Sequence, residues 1–124
     1  MEWISMDDGA MLYLRQWPAN PESITENNPK GLVHIIHGMA EHSQRYERLA
    51  QKLNAEGFEV WAADQRGYGR TADKSVNILA KGGLLGHCYD GDGFSRVTAD
   101  IDIINRVIRQ KKPGIPIYLL GHSW

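Results

Sequence analysis

The sequence has a single cysteine, no apolar run longer than five residues (10–14) and no excess of either charge, with 14 Lys and Arg against 15 Asp and Glu. Each shortage removes a class of protein. A lone Cys88 closes no internal disulfide, so the chain must rely on a packed core, and it suits a reducing compartment, the cytoplasm. A membrane-spanning helix needs about 20 apolar residues, and a signal peptide needs an apolar stretch behind a basic start. Neither pattern occurs. A formal charge of −1 leaves no electrostatic footprint for nucleic acid or an acidic membrane surface. The 124 residues, 42% of them hydrophobic, can line one core and are too few for two. Neither an internal repeat nor a low-complexity tract is present.

What is there reads as alternating strands and helices. Residues 2–6 and 10–17 flank Asp7-Asp8-Gly9, an acidic turn that predicts an antiparallel hairpin. Residues 18–30 hold three prolines, four Asn or Thr and two Glu without apolar periodicity, the composition of an exposed loop of variable length. Residues 32–36 are apolar except for His34, as in a strand covered on both faces. Tyr46, Leu49, Ala50 and Leu53 fall on one face of a helix over 44–56, with Ser43 as its cap and Gly57 as its stop. Phe58–Ala63 predicts a second buried strand ending at Asp64. Seven glycines then mark 65–93 as a long surface excursion, the kind of loop that is usually functional or mobile. Phe94, Val97, Ile101, Ile104 and Ile108 form one stripe of a second helix, stopped by Pro113. Residues 115–120 predict a third buried strand. The class is α/β: a mostly parallel sheet with an antiparallel N-terminal hairpin and helices on its faces.

The segment most able to carry chemistry is the last, PIYLLGHSW, where a strand runs into Gly121-His122-Ser123-Trp124. It matches four of the five positions of the G-x-S-x-G nucleophile elbow, in which a serine stands on a sharp strand-to-helix turn beside small residues. Ser123 is the candidate nucleophile; Gly121 and His122 support the motif. A strand ending in His37-Gly38 places the Met39 N–H in a loop where an oxyanion-hole donor is needed, with the Trp124 N–H as the second donor. Without further context, a chance Gly-x-Ser and a plain strand end are the competing readings of the two segments. Other motifs fail on geometry. Gly67-Tyr68-Gly69-Arg70-Thr71-Ala72 fits G-x-G-x-x-A but follows no direct strand-to-helix turn. Asp90-Gly91-Asp92-Gly93 lacks the ligand pattern of a calcium loop, since Phe94 stands where an oxygen is required. His37, Glu41 and His42 miss the zinc-peptidase spacing by one residue. No metal and no cofactor is expected.

Taken together, HGMAEHSQRYERLAQKL, DQRGYGRT and IPIYLLGHSW resemble, in order and spacing, the monoacylglycerol lipase and lysophospholipase branch of the α/β-hydrolase superfamily. The resemblance covers the N-terminal half of such an enzyme, so residues 1–124 are expected to form an incomplete α/β-hydrolase domain ending at the elbow, without the lid and C-terminal half. It implies a serine hydrolase of carboxylic esters, with Ser123 as nucleophile, Met39 as an oxyanion-hole amide, His37 and Gly38 shaping that loop, and Asp64 as a loop-anchoring residue. The triad acid and base are expected beyond residue 124, since the order in this fold is Ser, Asp, His. Tyr68 stands where the family often has histidine and Trp124 where methionine is common. GHSW elbows also resemble those of proline iminopeptidases, a second substrate class. A third reading makes the chain an inactive truncated or split fragment whose partner is a complementary C-terminal segment. The partner otherwise expected is a small ester or lipid substrate, without nucleic acid.

Overall fold

The computed structural model describes residues 2–24, 28–37, 42–65 and 93–121, with side chains in the last stretch from Val97 onward. Five strands form one sheet in the order β1-β2-β4-β3-β5. They are β1 (Glu2–Ser5), β2 (Met11–Trp17), β3 (Gly31–Ile36), β4 (Phe58–Ala63) and β5 (Ile117–Gly121). Two α-helices are described, α1 (Glu47–Ala55) and α2 (Gly93–Lys111).

The acidic turn folds as its sequence requires. Gly9 takes φ 88°, the left-handed region open to glycine. The Ala10 N–H donates to Asp8 Oδ1 at 3.1 Å, and the Met6 N–H donates to the Ala10 carbonyl at 2.8 Å, closing the hairpin. β1 and β2 then pair antiparallel, Trp3 opposite Tyr13, with their rings edge to face at 5.2 Å. β2 pairs antiparallel with β4, and β3 lies parallel between β4 and β5.

Alternation along the strands sorts the core into two layers. Leu12, Leu14, Leu32, Trp61 and Ala63 pack against Ile104 and Ile108 of α2. Val33, Ile35, Val60 and Ala62 pack against Ala50 of α1 on the other face. Chain connections explain the split: β3 to β4 moves one step across the sheet, and β4 to β5 returns past β3, so crossovers of one hand put their helices on opposite faces.

Several expectations need correction. The first helix is shorter than 44–56: residues Ser43–Tyr46 form a 3₁₀ turn and α1 begins at Glu47. Ser43 does not cap α1, because its hydroxyl is bound elsewhere in the core. Leu49, placed on the buried stripe, is exposed. The final strand starts at Ile117, and it is not buried: Tyr118, Leu119 and Leu120 are 55%, 59% and 41% exposed. Among the described residues β5 pairs only with β3, so one side of this strand has no neighbour to cover it. The loop 18–30 contains a 3₁₀ turn, Pro21–Ser23, and is pinned to α1. Ser23 Oγ donates to the Ala55 carbonyl at 2.6 Å, and the Lys30 N–H donates to the Gly57 carbonyl at 2.8 Å. The long excursion lies, from residue 66 to 92, outside the described residues.

Candidate active site

Parallel strands deliver their carboxyl ends to one edge of a sheet, and ligands of open α/β sheets sit outside that edge where successive connections leave toward opposite faces. β3 and β4 are such a pair here, with α1 following one and α2 the other. The residues at their ends are polar and buried: His37 after β3, Asp64 and Gln65 after β4, and Ser43 at the start of the 3₁₀ turn.

These four are bonded in two pairs, Gln65 with His37 and Asp64 with Ser43. The Gln65 N–H donates to His37 Nε2 at 2.9 Å, and the Gln65 side-chain amide donates to the His37 carbonyl. His37 Nε2 is therefore an acceptor, without a proton of its own in this arrangement. Asp64 Oδ1 accepts from the N–H and from the hydroxyl of Ser43, both at 2.6 Å. Arg15 of β2 completes the group: its Nε donates to Ser43 Oγ at 2.9 Å, while its guanidinium lies 5.2 Å from the Tyr13 ring centre. A buried guanidinium and a buried carboxylate thus balance each other through one serine hydroxyl, the condition under which buried charge is tolerated.

Below this edge, between the sheet and α2, lies a small cleft that is partly open to solvent. Leu12, Ile35, Ile36, Val97 and Ile101 give it an apolar lining, and His34, Asp100 and Gln65 are the polar residues on its wall. His34 Nδ1 lies 3.2 Å from Asn105 Oδ1 of α2. Burial holds the imidazole at a pKa of about 4, against 6.5 in water, although the Asn105 bond opposes the shift. At neutral pH it is uncharged, and it meets the helix through the hydrogen bond to Asn105.

Of the residues singled out from sequence for the site, His37, Asp64 and Gly121 fall within the description. His37 is buried at the end of β3, and Gly121 ends β5 directly opposite Ile36. Gly38, Met39, His122, Ser123 and Trp124 lie outside the described residues, as do His87 and Cys88. Asp64 holds Ser43, an anchoring contact of the kind implied by the resemblance. Arg15, Ser43 and Gln65 were not legible as members of a cluster. The available signal was Arg15 itself, a charged residue within a strand otherwise rich in apolar and aromatic side chains. Among the described residues no three His, Cys, Asp or Glu side chains gather as a metal site, and no helix is long and apolar enough to cross a membrane.

A mixed sheet, parallel across β4, β3 and β5 and antiparallel across β1, β2 and β4, with a helix on each face and a polar cluster at the carboxyl edge, places the chain in the α/β class. The comparisons with known proteins agree. A family model described as Hydrolase_4, serine aminopeptidase S33, matches residues 27–124, and the chain belongs to that family. It is 33% identical over 116 residues to a monoglyceride lipase homolog of Monkeypox virus, covering 94% of this chain and 35% of that protein. It is 34% identical over 98 residues to a monoacylglycerol lipase of Mycolicibacterium smegmatis, covering 79% of this chain and 30% of that protein. A soluble variant of the monoglyceride lipase of Saccharomyces cerevisiae, solved with a substrate analog, superimposes with a TM-score of 0.70 at 26% identity, covering 98% of this chain and 34% of the other. The chain spans about a third of the length of these relatives.

Proposed function

We propose that the protein is a serine hydrolase of carboxylic esters of the monoacylglycerol or lysophospholipid type, with Ser123 as its nucleophile. The observation that carries this reading is the register of β3 and β5. Ile36 stands opposite Gly121, so the chain leaves two neighbouring parallel strands at the same edge. One exit leads into His37-Gly38-Met39 and the other into Gly121-His122-Ser123-Trp124. A nucleophile and an oxyanion-hole amide must lie within a few ångströms of one carbonyl carbon, and adjacent strand ends are how this fold meets that demand.

In this reading the Ser123 hydroxyl oxygen attacks the ester carbonyl as a histidine takes its proton. The oxyanion of the tetrahedral intermediate is held by the Met39 and Trp124 amides. Collapse expels the alcohol, which recovers the proton from the histidine, and water then cleaves the acyl-enzyme by the same steps. The histidine and the acid that orients it follow the nucleophile in the chain order of α/β-hydrolases, beyond residue 124. The similarity to monoglyceride lipases supports the ester substrate; the description of the matching family model as an aminopeptidase keeps a prolyl-peptide substrate as the alternative outcome.

The test uses the complete gene product. A fluorophosphonate probe is expected to label Ser123, and a monoacylglycerol is expected to be hydrolysed while a proline anilide is not. Ser123→Ala is expected to abolish labelling and to lower kcat by about 10⁴-fold or more. A folded protein that neither labels nor turns over esters overturns the proposal. Hydrolysis confined to the proline anilide replaces it with the peptidase.

A further inference from the structure

A polar group in the core is left without a protein partner. Trp61 of β4 is 3% exposed, and among the described residues its indole Nε1–H meets no acceptor. A buried donor in that condition forfeits the bond it made to water in the unfolded chain. For this reason buried side-chain donors nearly always meet either a protein acceptor or an ordered water. Trp61 faces α2, where it packs in the cluster that includes Ile104 and Ile108.

The neighbouring strand supplies a complementary group. His34 stands opposite Trp61 in the parallel register of β3 and β4, and it too faces α2, through its contact with Asn105. An amide oxygen can only accept. The uncharged ring therefore donates from Nδ1 to Asn105 Oδ1, at 3.2 Å, and keeps an unshared electron pair on Nε2. A donor and an acceptor thus stand at paired positions on one face of the sheet without bonding to each other directly. His34 and Ile104 also line the small cleft between the sheet and α2, which is partly open to solvent and gives a small molecule a way in.

We infer that the core between the sheet and α2 binds one ordered water molecule, which accepts from Trp61 Nε1–H and donates to His34 Nε2. Water is the ligand that fits, because the pair offers one donor and one acceptor amid apolar side chains, and a single water serves both at once. An internal water requires roughly two to four polar partners, and Trp61 and His34 supply two. The bound molecule joins β4 to β3 beneath the helix, so removing either partner leaves the other with an unmet bond. This site is independent of the role proposed for Ser123.

The experiment uses the complete gene product at neutral pH, with isotope-labelled indole and imidazole nitrogens for NMR. The Trp61 signal is identified by its loss in Trp61→Phe. Its Nε1 proton is expected to show a nuclear Overhauser effect to water with the sign of a long-lived internal molecule, and His34 is expected to carry its proton on Nδ1 and none on Nε2. Unfolding of Trp61→Phe, His34→Leu and the double variant is expected to be non-additive. The second substitution lowers the folding equilibrium constant by a factor at least about fivefold smaller when the first is already present. A crystal structure of the wild-type protein, which depends on no variant folding, is expected to show the water within hydrogen-bond distance of both atoms. A protein acceptor on Trp61 Nε1, a proton on His34 Nε2, an indole proton without contact to water, or additive losses in the variants overturns the inference.

Discussion

His34 shows what burial does to a single titratable group. It lies in the middle of β3, between Val33 and Ile35, on the face covered by α2, and is 2% exposed. Desolvation lowers its pKa to about 4. Because the folded pKa is below the unfolded value, the unfolded chain binds the extra proton between the two. The stabilisation is therefore complete above pH 6.5 and is lost as the pH falls toward 4, by a total of about 3 kcal/mol. His34→Gln cannot take up that proton. Urea unfolding at pH 7 and at pH 4.5 is expected to show a smaller loss of stability on acidification in the variant than in wild type, by about 2 to 3 kcal/mol. Equal losses in the two proteins would show that His34 is not the group responsible. Burial of residues 32–36 was legible in their apolar run. The bond to Asn105, 71 positions away, was not, because it depends on how α2 lies across the sheet.

Among the elements, α1 and the loop before β3 behave as one unit. The last carbonyls of a helix lack partners within it, and here Ala55 receives Ser23 Oγ while Asn54 receives the Asn20 N–H at 3.1 Å. The buried Asn54 amide in turn donates to the carbonyls of Trp17 and Phe58, both at 2.9 Å, and so joins the helix end to β2 and β4. Gly57 makes the turn into β4 with φ +93°, and a Cβ placed there would lie 2.7 Å from the Ser23 carbonyl oxygen. Gly114 has a similar φ of +83° but nothing within 4 Å of a Cβ. Gly114→Ala is expected to cost about 1 to 2 kcal/mol from backbone strain alone, and Gly57→Ala at least about 1 kcal/mol more from the added clash. Chemical denaturation of the two variants gives the difference directly; equal losses would refute the steric part. The stop at Gly57 was readable from its place after an amphipathic stretch. The docking of 18–30 was not, because a polar, proline-rich composition looks the same whether its polar groups meet water or a helix end.

Among the described residues, the two edges of the sheet differ in what they present. β1 ends it as a short strand paired to β2, and Lys111 Nζ, at the end of α2, lies 2.6 Å from Glu2 Oε1. At the opposite side β5 exposes Tyr118, Leu119 and Leu120 in succession. An exposed strand of this kind offers both free backbone groups and apolar area to another chain. Residues 1–124 expressed by themselves are expected to self-associate and to show no esterase activity, with light scattering and a p-nitrophenyl ester as the measurements. Leu119→Lys is expected to shift the population toward monomer. A monomeric wild-type preparation that hydrolyses the ester, and loses that activity on Ser123→Ala, would refute the expectation.

Local chemistry in the sequence determined the elements and their order. Short apolar and β-branched runs made the strands, the three-and-four spacing of Val97, Ile101, Ile104 and Ile108 made α2, and Gly9, Gly57 and Pro113 punctuated them, because each of these acts over a few residues. The strand-to-loop junctions at His37 and Gly121 were readable for the same reason. Tertiary structure alone decided which ends meet. It set Ile36 opposite Gly121, closed Arg15, Ser43 and Asp64 into one charge-balanced group, and put Gln65 on His37. Those contacts join positions 21 to 28 residues apart or more, and their partners are chosen by sheet order and register rather than by any neighbour along the chain.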